Sequence, residues 1–420
     1  MQRFIGIIGI IVILGIAYLA SENRKKINLR VILSGMLLQV VIALLVFKVP
    51  AVNRFFQILG HGMEKIEGFA RQGAAFVYGG LATVGPDGQP ANFYAKGFVF
   101  AFNVTATIVL VVVLVSILYH IGFMQRVVSV IAKGMNFIMR VSGAEALSNV
   151  ASAFVGQVEA QVMIRPYLPS MTRSELLASM SGSLACIAGG ILIVYANMGA
   201  AAGMDLAPTL IAASLMAAPG ALVISKILIP ETEESLTMGN VKLEVKSNYT
   251  NIIDAITHGA GDGFKIAMNV IAMLIGFIAL IAMVDWMLVH VGHWFNPQLN
   301  LTLDFIFGKL FYPLAWCMGV PNEDVSSVAT LLGQKLTVNE FLAFQHLTDH
   351  SVKIVSQKGL LIVSIAICGF ANFSSVGMQI GGIGELAPSR RTDLAKLGLK
   401  ALLAGTLASY LSATIAGILM

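Results

Sequence analysis

The sequence predicts an all-α polytopic membrane protein with about eight transmembrane helices, two re-entrant hairpins, interfacial helices and inverted repeats. Three observations carry this. Of 420 residues, 57% are hydrophobic and only 12% charged, with mean hydropathy +0.83; soluble domains carry about 25% charge. The apolar residues come in blocks of about 20, the length a helix needs to cross a hydrocarbon core of about 30 Å. The third observation is a pair of half-polar segments at matching places in the two halves, each followed by two long apolar blocks.

The first block, Phe4 to about Ala20, is preceded only by Arg3 and followed by no convincing small-residue cleavage site, so it reads as a membrane helix, not a removed signal. A second block spans about 31 to 49. Between them Arg24, Lys25, Lys26 and Arg30 hold the loop in the cytoplasm by the positive-inside rule and leave the N-terminus outside. From about 52 to 85, Arg54, Glu64, Lys65, Glu67 and Arg71 interrupt the apolar pattern, while Phe55, Phe56, Ile58 and Leu59 keep helical spacing. That combination describes a helix lying along the interface. Gly85-Pro86-Asp87-Gly88 marks a turn. A third span follows at about 97 to 119, and 124 to 141, with Arg126, Lys133 and Arg140 among valines and isoleucines, again reads as interfacial.

Segments 144 to 166 and 320 to 347 are too polar for ordinary spans and too apolar for loops, as re-entrant hairpins are. Phe154-Val155-Gly156-Gln157-Val158-Glu159 aligns loosely with Leu331-Leu332-Gly333-Gln334-Lys335-Leu336. Apolar blocks at about 176 to 199 and 208 to 229 follow the first hairpin, and blocks at about 358 to 384 and 394 to 419 follow the second. A further block at about 265 to 291 lies between. The chain divides accordingly into 1–143 (scaffold), 144–230 (first repeat), 231–311 (connecting loop, interfacial and scaffold helix) and 312–420 (second repeat). In repeat-built secondary transporters the substrate site lies between the repeats.

Charge inside the bilayer costs about 2.5–3.5 kcal/mol and needs a partner, water or a function. Glu159 and Glu340 are the outliers, each in a hairpin where broken helix ends leave backbone groups free. Glu340 is read as a ligand group, with a structural pair to a nearby donor as the alternative. Asn372 and Ser375, three residues apart in an apolar block, would share one face of a helix; Phe370 and Phe373 could flank a ligand or simply pack.

Other functions fit poorly. The net charge of +5 and pI near 9.0 come from residues at block ends, not from a dense patch, so no nucleic-acid partner is expected. Cys186, Cys317 and Cys368 have no metal-ligand spacing and read as small buried side chains. The histidines are scattered; His346, Asp349 and His350 sit together but read best as a solvated loop, so no enzyme is expected. A passive channel remains the alternative to a transporter, and binding groups gathered at paired hairpins favour the latter.

Several motifs then resemble one family, the concentrative nucleoside transporters: Gly156-Gln157-Val158-Glu159, Arg165-Pro166-Tyr167, Ser174-Glu175-Leu176, Val338-Asn339-Glu340-Phe341 and Gly369-Phe370-Ala371-Asn372-Phe373-Ser374-Ser375. The resemblance implies a homotrimeric importer of nucleosides such as uridine, cytidine or adenosine, multi-pass in the inner membrane of a bacterium, working by alternating access with no cofactor beyond a coupling cation. It implies that Gln157 and Glu159 bind the base, with Val158 between them and Ile191 packing against it. Glu340, Asn372 and Ser375 would bind the ribose, and Phe370 would line the pocket. The family often has a hydroxyl residue where Val158 stands, which leaves purine or pyrimidine preference open. Sodium, by the same resemblance, would sit at Ser152, Val155, Cys186 and Ile187. The Cys186 thiol supplies no hard oxygen, although its carbonyl can, and proton coupling through a carboxylate such as Glu340 is the rival.

Overall fold

A computed structural model describes residues 2–79, 100–238, 249–296, 298 and 300–420, and among these every regular element is a helix. The turn expected at Gly85-Pro86-Asp87-Gly88 lies outside the described residues, as do the end of the 52–85 segment and the start of the 97–119 span.

The N-terminal part holds α1 (Gln2–Leu19), α2 (Leu29–Lys48), α3 (Pro50–Tyr78), α4 (Phe100–His120) and α5 (Phe123–Met139). Arg24, in the loop between α1 and α2, donates from Nη2 to Leu19 O at 2.9 Å and from Nε to Tyr18 O at 3.2 Å, closing the end of α1; a cation suits the negative end of a helix dipole. The axis turns by 76° between α4 and α5, at Gly122 with φ +76°. On α5, Met124, Val128, Ala132, Met135 and Met139 are buried at spacings of three and four, while Arg126, Lys133 and Arg140 are exposed. This is the two-faced pattern expected of an interfacial helix.

The first hairpin is α6 (Gly143–Ser152) and the short α7 (Glu159–Val162), separated by residues 153–158. The second is α14 (Val325–Thr337) and α15 (Glu340–Thr348), broken at 338–339. The Gly-Gln similarity does not mark equivalent places: Gly156-Gln157 stands at the first break, whereas Gly333-Gln334 lies inside α14. There Gln334 donates to Asp304 at 2.8 Å and faces His346 Nδ1 at 3.0 Å. The order of hairpin and following apolar blocks does recur, in both halves.

Each hairpin is followed by a helix pair that hydropathy alone reads as one span. These are α8 (Arg173–Ala185) with α9 (Gly189–Ala201), and α16 (Gln357–Ile367) with α17 (Phe373–Leu386). The breaks are Cys186-Ile187-Ala188 and Cys368-Gly369-Phe370-Ala371-Asn372; apart from Asn372 they are made of small or apolar residues, so little drop in hydropathy announces them. A long helix closes each half: α10 (Ala207–Leu228) and α18 (Arg391–Leu419). The remaining elements are α11 (Ile252–Phe295), α12 (Leu303–Leu310) and α13 (Tyr312–Cys317).

Packing sorts these into inner and outer helices. The most apolar stretch of α10 is 89% buried and that of α18 83%, against 6% for Ile278–Phe295 of α11, so α10 and α18 form the axis of the fold and α11 its rim. The rim attaches at small residues. A Cβ on Gly259 or Gly263 of α11 would come within 2.9 and 2.8 Å of the Val113 and Val109 Cα atoms of α4, the close crossing that small-xxx-small spacing allows in membranes.

Glu340 is not the only charged residue that the fold buries. Ser142 with Glu145, and Thr172 with Glu175, form capping boxes that start α6 and α8. Lys226, near the end of α10, reaches Glu145 at 2.7 Å and Glu231 at 3.4 Å, tying the first hairpin to the central axis. Neither box was among the sequence expectations, although the S/T-x-x-E pattern is the signal for one.

Candidate functional site

The two helix breaks cross. A Cβ on Gly369 would lie 2.3 Å from Ala185 O, so only glycine lets the backbones approach, and there Phe370 N–H donates to Cys186 O at 3.3 Å. The first hairpin closes on the same point. Gly189 N–H donates to Phe154 O at 3.2 Å, and Ser214 Oγ of α10 lies 3.2 Å from Ala153 O and 3.3 Å from Ile187 O. Backbone groups freed by one break are thus met by another, which is the condition for irregular backbone at membrane depth.

Glu340 is buried at the start of α15, just after Asn339, whose side chain caps that helix by accepting from Leu342 N at 2.9 Å. Its Oε1 accepts from the Tyr195 hydroxyl at 3.2 Å and its Oε2 from Asn372 Nδ2 at 2.8 Å. Tyr195, fully buried in α9, stacks on Phe344 with centroids 4.4 Å apart, which fixes its hydroxyl. Asn372 does two jobs: its Oδ1 also accepts from Ser375 N at 2.8 Å, making it the cap of α17. The expectation of one helical face for Asn372 and Ser375 is therefore corrected; Asn372 precedes the helix and Ser375 sits in its first turn. A carboxylate offers about four acceptor positions, and two are taken by side-chain donors, so Glu340 keeps acceptor capacity for ligand hydroxyls.

Gln157 lies at the tip of the first hairpin, half-buried, with Oε1 accepting from Gln379 Nε2 at 3.4 Å. Gln379 Nε2 also reaches Met180 O at 3.2 Å, and its fully buried Oε1 meets no donor among the described residues. Val158 is half-buried and packs where a Cβ on Gly382 of α17 would lie 2.7 Å from its Cγ2. Glu159 is exposed, and Ile191 and Phe370 are half-buried. The hairpin tip and α17 thus bring Gln157, Val158, Gln379 and Met378 together, while α9, α15 and the break before α17 bring together Tyr195, Glu340 and Asn372.

Sequence reading missed Tyr195 and Gln379. Both carried a signal: Tyr195 is four residues after Ile191, and Gln379 four after Ser375, the spacing that puts side chains on one helical face.

Of the four residues expected at the cation site, Ser152, Val155, Cys186 and Ile187 are all buried where the tip of the first hairpin meets the α8–α9 break. Ser152 Oγ donates to Ser148 O at 2.7 Å and meets Ser183 Oγ at 2.9 Å. Ser183 in turn receives Gln161 Nε2 at 2.7 Å, and Ser179 Oγ donates to Gln161 Oε1 at 2.5 Å, which binds both arms of the hairpin to α8. The Cys186 thiol faces Asn149 O at 3.9 Å and Ser214 O at 3.8 Å. Two carbonyl oxygens face the thiol, and the Ser152 and Ser214 hydroxyls lie at the hairpin and the Ile187 carbonyl; these oxygens are the donors a hard cation takes, so the donor set fits sodium through oxygen and not through sulfur. His346 and Asp349 are engaged with Gln334 and Ser351, and no cluster of three metal-ligating side chains occurs among the described residues.

Two hairpins meeting two crossed helix breaks, with a carboxylate and amides turned into the junction, define a secondary transporter in which irregular backbone builds the binding site. This chain belongs to the Na+-dependent nucleoside transporter family. The models of that family's N-terminal and C-terminal regions match residues 8–81 and 209–417, and a nucleoside-recognition gate model matches 101–202. The nucleoside permease NupC of Helicobacter pylori is 36% identical over 416 residues, covering 98% of this chain and 96% of the permease. The sodium/nucleoside cotransporter 1 of Rattus norvegicus is 36% identical over 434 residues, covering all of this chain and 64% of the cotransporter. Among solved structures, CNTnw in an inward-facing substrate-bound state superposes with TM-score 0.89 at 39% identity, covering 100% of this chain and 98% of that one. A doubly substituted form in an outward-facing state gives 0.91, also at 39% identity and with the same coverage.

Proposed function

We propose that this protein imports nucleosides such as uridine, cytidine or adenosine into the cell by cation-coupled alternating access, as a homotrimer in the bacterial inner membrane. The single observation that carries the reading is the buried Glu340 carboxylate, held by Tyr195 and Asn372 with acceptor capacity to spare. Glu340, Asn372 and Ser375 bind the ribose; Gln157 and Glu159 read the base, Val158 and Ile191 pack on it, and Phe370 lines the pocket. Gln157, with one donor group and one acceptor, can pair with either edge of a base. Residues 144–230 and 312–420 carry the two hairpins and their broken helices, and 1–143 with 231–311 supply most of the scaffold against which they move.

Sodium is the coupling ion, held by oxygens around Ser152, Val155, Cys186 and Ile187. When bound it would join the tip of the first hairpin to the α8–α9 break and so complete the base-binding side. The family's sodium dependence and the oxygen-rich surroundings of Cys186 support this.

The sugar reading is tested by competition with uridine, 2′,3′-dideoxyuridine and uracil against labelled uridine uptake in proteoliposomes. A ligand without hydroxyls leaves a desolvated carboxylate unpaired, which costs about 1–3 kcal/mol or more. The two ligands lacking the hydroxyls should therefore inhibit at least about tenfold more weakly than uridine, and Glu340→Ala should abolish uptake in inserted protein. Equal inhibition by all three would refute the assignment.

A further inference from the structure

Gln379 of α17 is fully buried between Met180 of α8 and Gln157 at the tip of the first hairpin. One end of its amide only donates and the other only accepts, so its neighbours decide which end goes where. The atom 3.2 Å from the Met180 carbonyl oxygen is the amine, because an oxygen there would oppose an oxygen. That leaves Gln379 Oε1 without a donor among the described residues. Turning the amide over would set like against like at Met180.

The polarity passes along the chain of amides. An amine carries two protons; Met180 O takes one, and the second is available to Gln157, 3.4 Å away. The Gln157 atom that meets it must accept, so it is Oε1, and Nε2 is turned away from Gln379. There Nε2 reaches the Met378 sulfur at 3.9 Å, a weak acceptor that a ligand oxygen or nitrogen would displace. Packing holds the two amides in place: a Cβ on Gly382, about one turn beyond Gln379, would come 2.7 Å from Cγ2 of Val158, the residue after Gln157.

We propose that Gln379 sets the base preference of the transporter by fixing the Gln157 amide, so that Gln157 meets a base as a hydrogen-bond donor only. Taken alone, Gln157 can pair with either edge of a base. Held by Gln379, it selects bases that present a carbonyl oxygen or an unprotonated ring nitrogen at that point. Gln379 is then a positioning residue, touching no substrate. This rests on the reading of Gln157 as a base ligand.

Two pairs of nucleosides test the polarity. Uridine and cytidine, like inosine and adenosine, exchange acceptor for donor at the exocyclic group and donor for acceptor at the neighbouring ring nitrogen. A donor fixed against that edge should favour the same kind of member in both pairs, oxo or amino, by about tenfold. Competition against tritiated uridine bound to the purified full-length protein measures the ratios. Gln379→Met keeps the volume but frees the Gln157 amide to turn, so both ratios should fall toward one. Gln379→Glu offers Gln157 no amine, and Gln157→Glu offers the base no donor; each should reverse the preference.

A merely structural role for Gln379 would weaken all four nucleosides alike and leave the ratios where they were. Ratios unchanged in both Gln379 variants but reversed in Gln157→Glu overturn the role of Gln379 alone. Ratios unchanged in Gln157→Glu overturn the reading of Gln157 as a base ligand, and equal affinities within both wild-type pairs overturn the fixed polarity. Gln157 is half-buried at the hairpin tip, so Gln157→Glu leaves α17 intact and tests the donor even if the Gln379 variants fold poorly.

Discussion

Asn372 shows how much one side chain can be asked to do. It caps α17 through Oδ1 and donates to Glu340 through Nδ2, so one substitution removes two interactions of different kinds. Serine at this position keeps a capping oxygen but is too short to reach Glu340. We expect Asn372→Ser to melt close to the wild type yet lose about tenfold or more in uptake at low substrate, the value of a hydrogen bond to a charged group at about 1.5–3 kcal/mol. Asn372→Ala should lose the same uptake and in addition about 1 kcal/mol of stability with the cap. Parallel thermal melts and uptake assays separate the two effects; equal losses of stability in both variants would show that the cap is not what Asn372 supplies. The sequence marked Asn372 as polar in an apolar block. It could not say that the residue ends a break, because that depends on where α17 begins.

At the scale of elements, the crossing of the α8–α9 and α16–α17 breaks is set by Gly369, whose missing Cβ leaves room for Ala185 O. An added methyl at 2.3 Å from a backbone oxygen cannot be absorbed by a side-chain shift. Gly369→Ala should therefore part the two breaks, costing about 1–3 kcal/mol of overpacking strain and abolishing uptake. Gly377 in α17 is the control, since a Cβ there meets nothing within 4 Å. Gly377→Ala should be neutral, or stabilising by about 0.5–1 kcal/mol through helix propensity. Expression, melting temperature and uptake of the two variants check this; equal tolerance would mean that the breaks do not need their close approach. Hydropathy located the blocks at 176 to 199 and 358 to 384 but not the breaks inside them. Cys186-Ile187-Ala188 is as apolar as a span, and what ends the helix there is partnership with Phe370 N–H and Ser214, not composition.

For the whole molecule the central expectation is uphill accumulation. Proteoliposomes given an inward sodium gradient should concentrate labelled uridine, and those given only a proton gradient should not. Cys186→Ser adds a hydroxyl oxygen amid the existing carbonyls, and should preserve or tighten the dependence on sodium. Accumulation driven by protons alone would assign the coupling to a carboxylate, with Glu340 the first to examine; equilibration without accumulation under either gradient would make the protein a channel.

The sequence by itself determined the solvent and the parts list. Apolar blocks of bilayer length, the half-polar segments at 144 to 166 and 320 to 347, and the carboxylates Glu159 and Glu340 all follow from local composition, because insertion into lipid is decided residue by residue. It also named Asn372, since an uncommon polar group in an apolar run stands out, while Gln157 came from the family resemblance of Gly156-Gln157-Val158-Glu159. Tertiary structure alone decided which of these meet. Asn372 faces Glu340 across two elements, and Tyr195 joins them from a third. Such meetings depend on crossings set by single glycines and on breaks whose backbone groups are satisfied by distant residues. Neither leaves a mark in a window of local sequence.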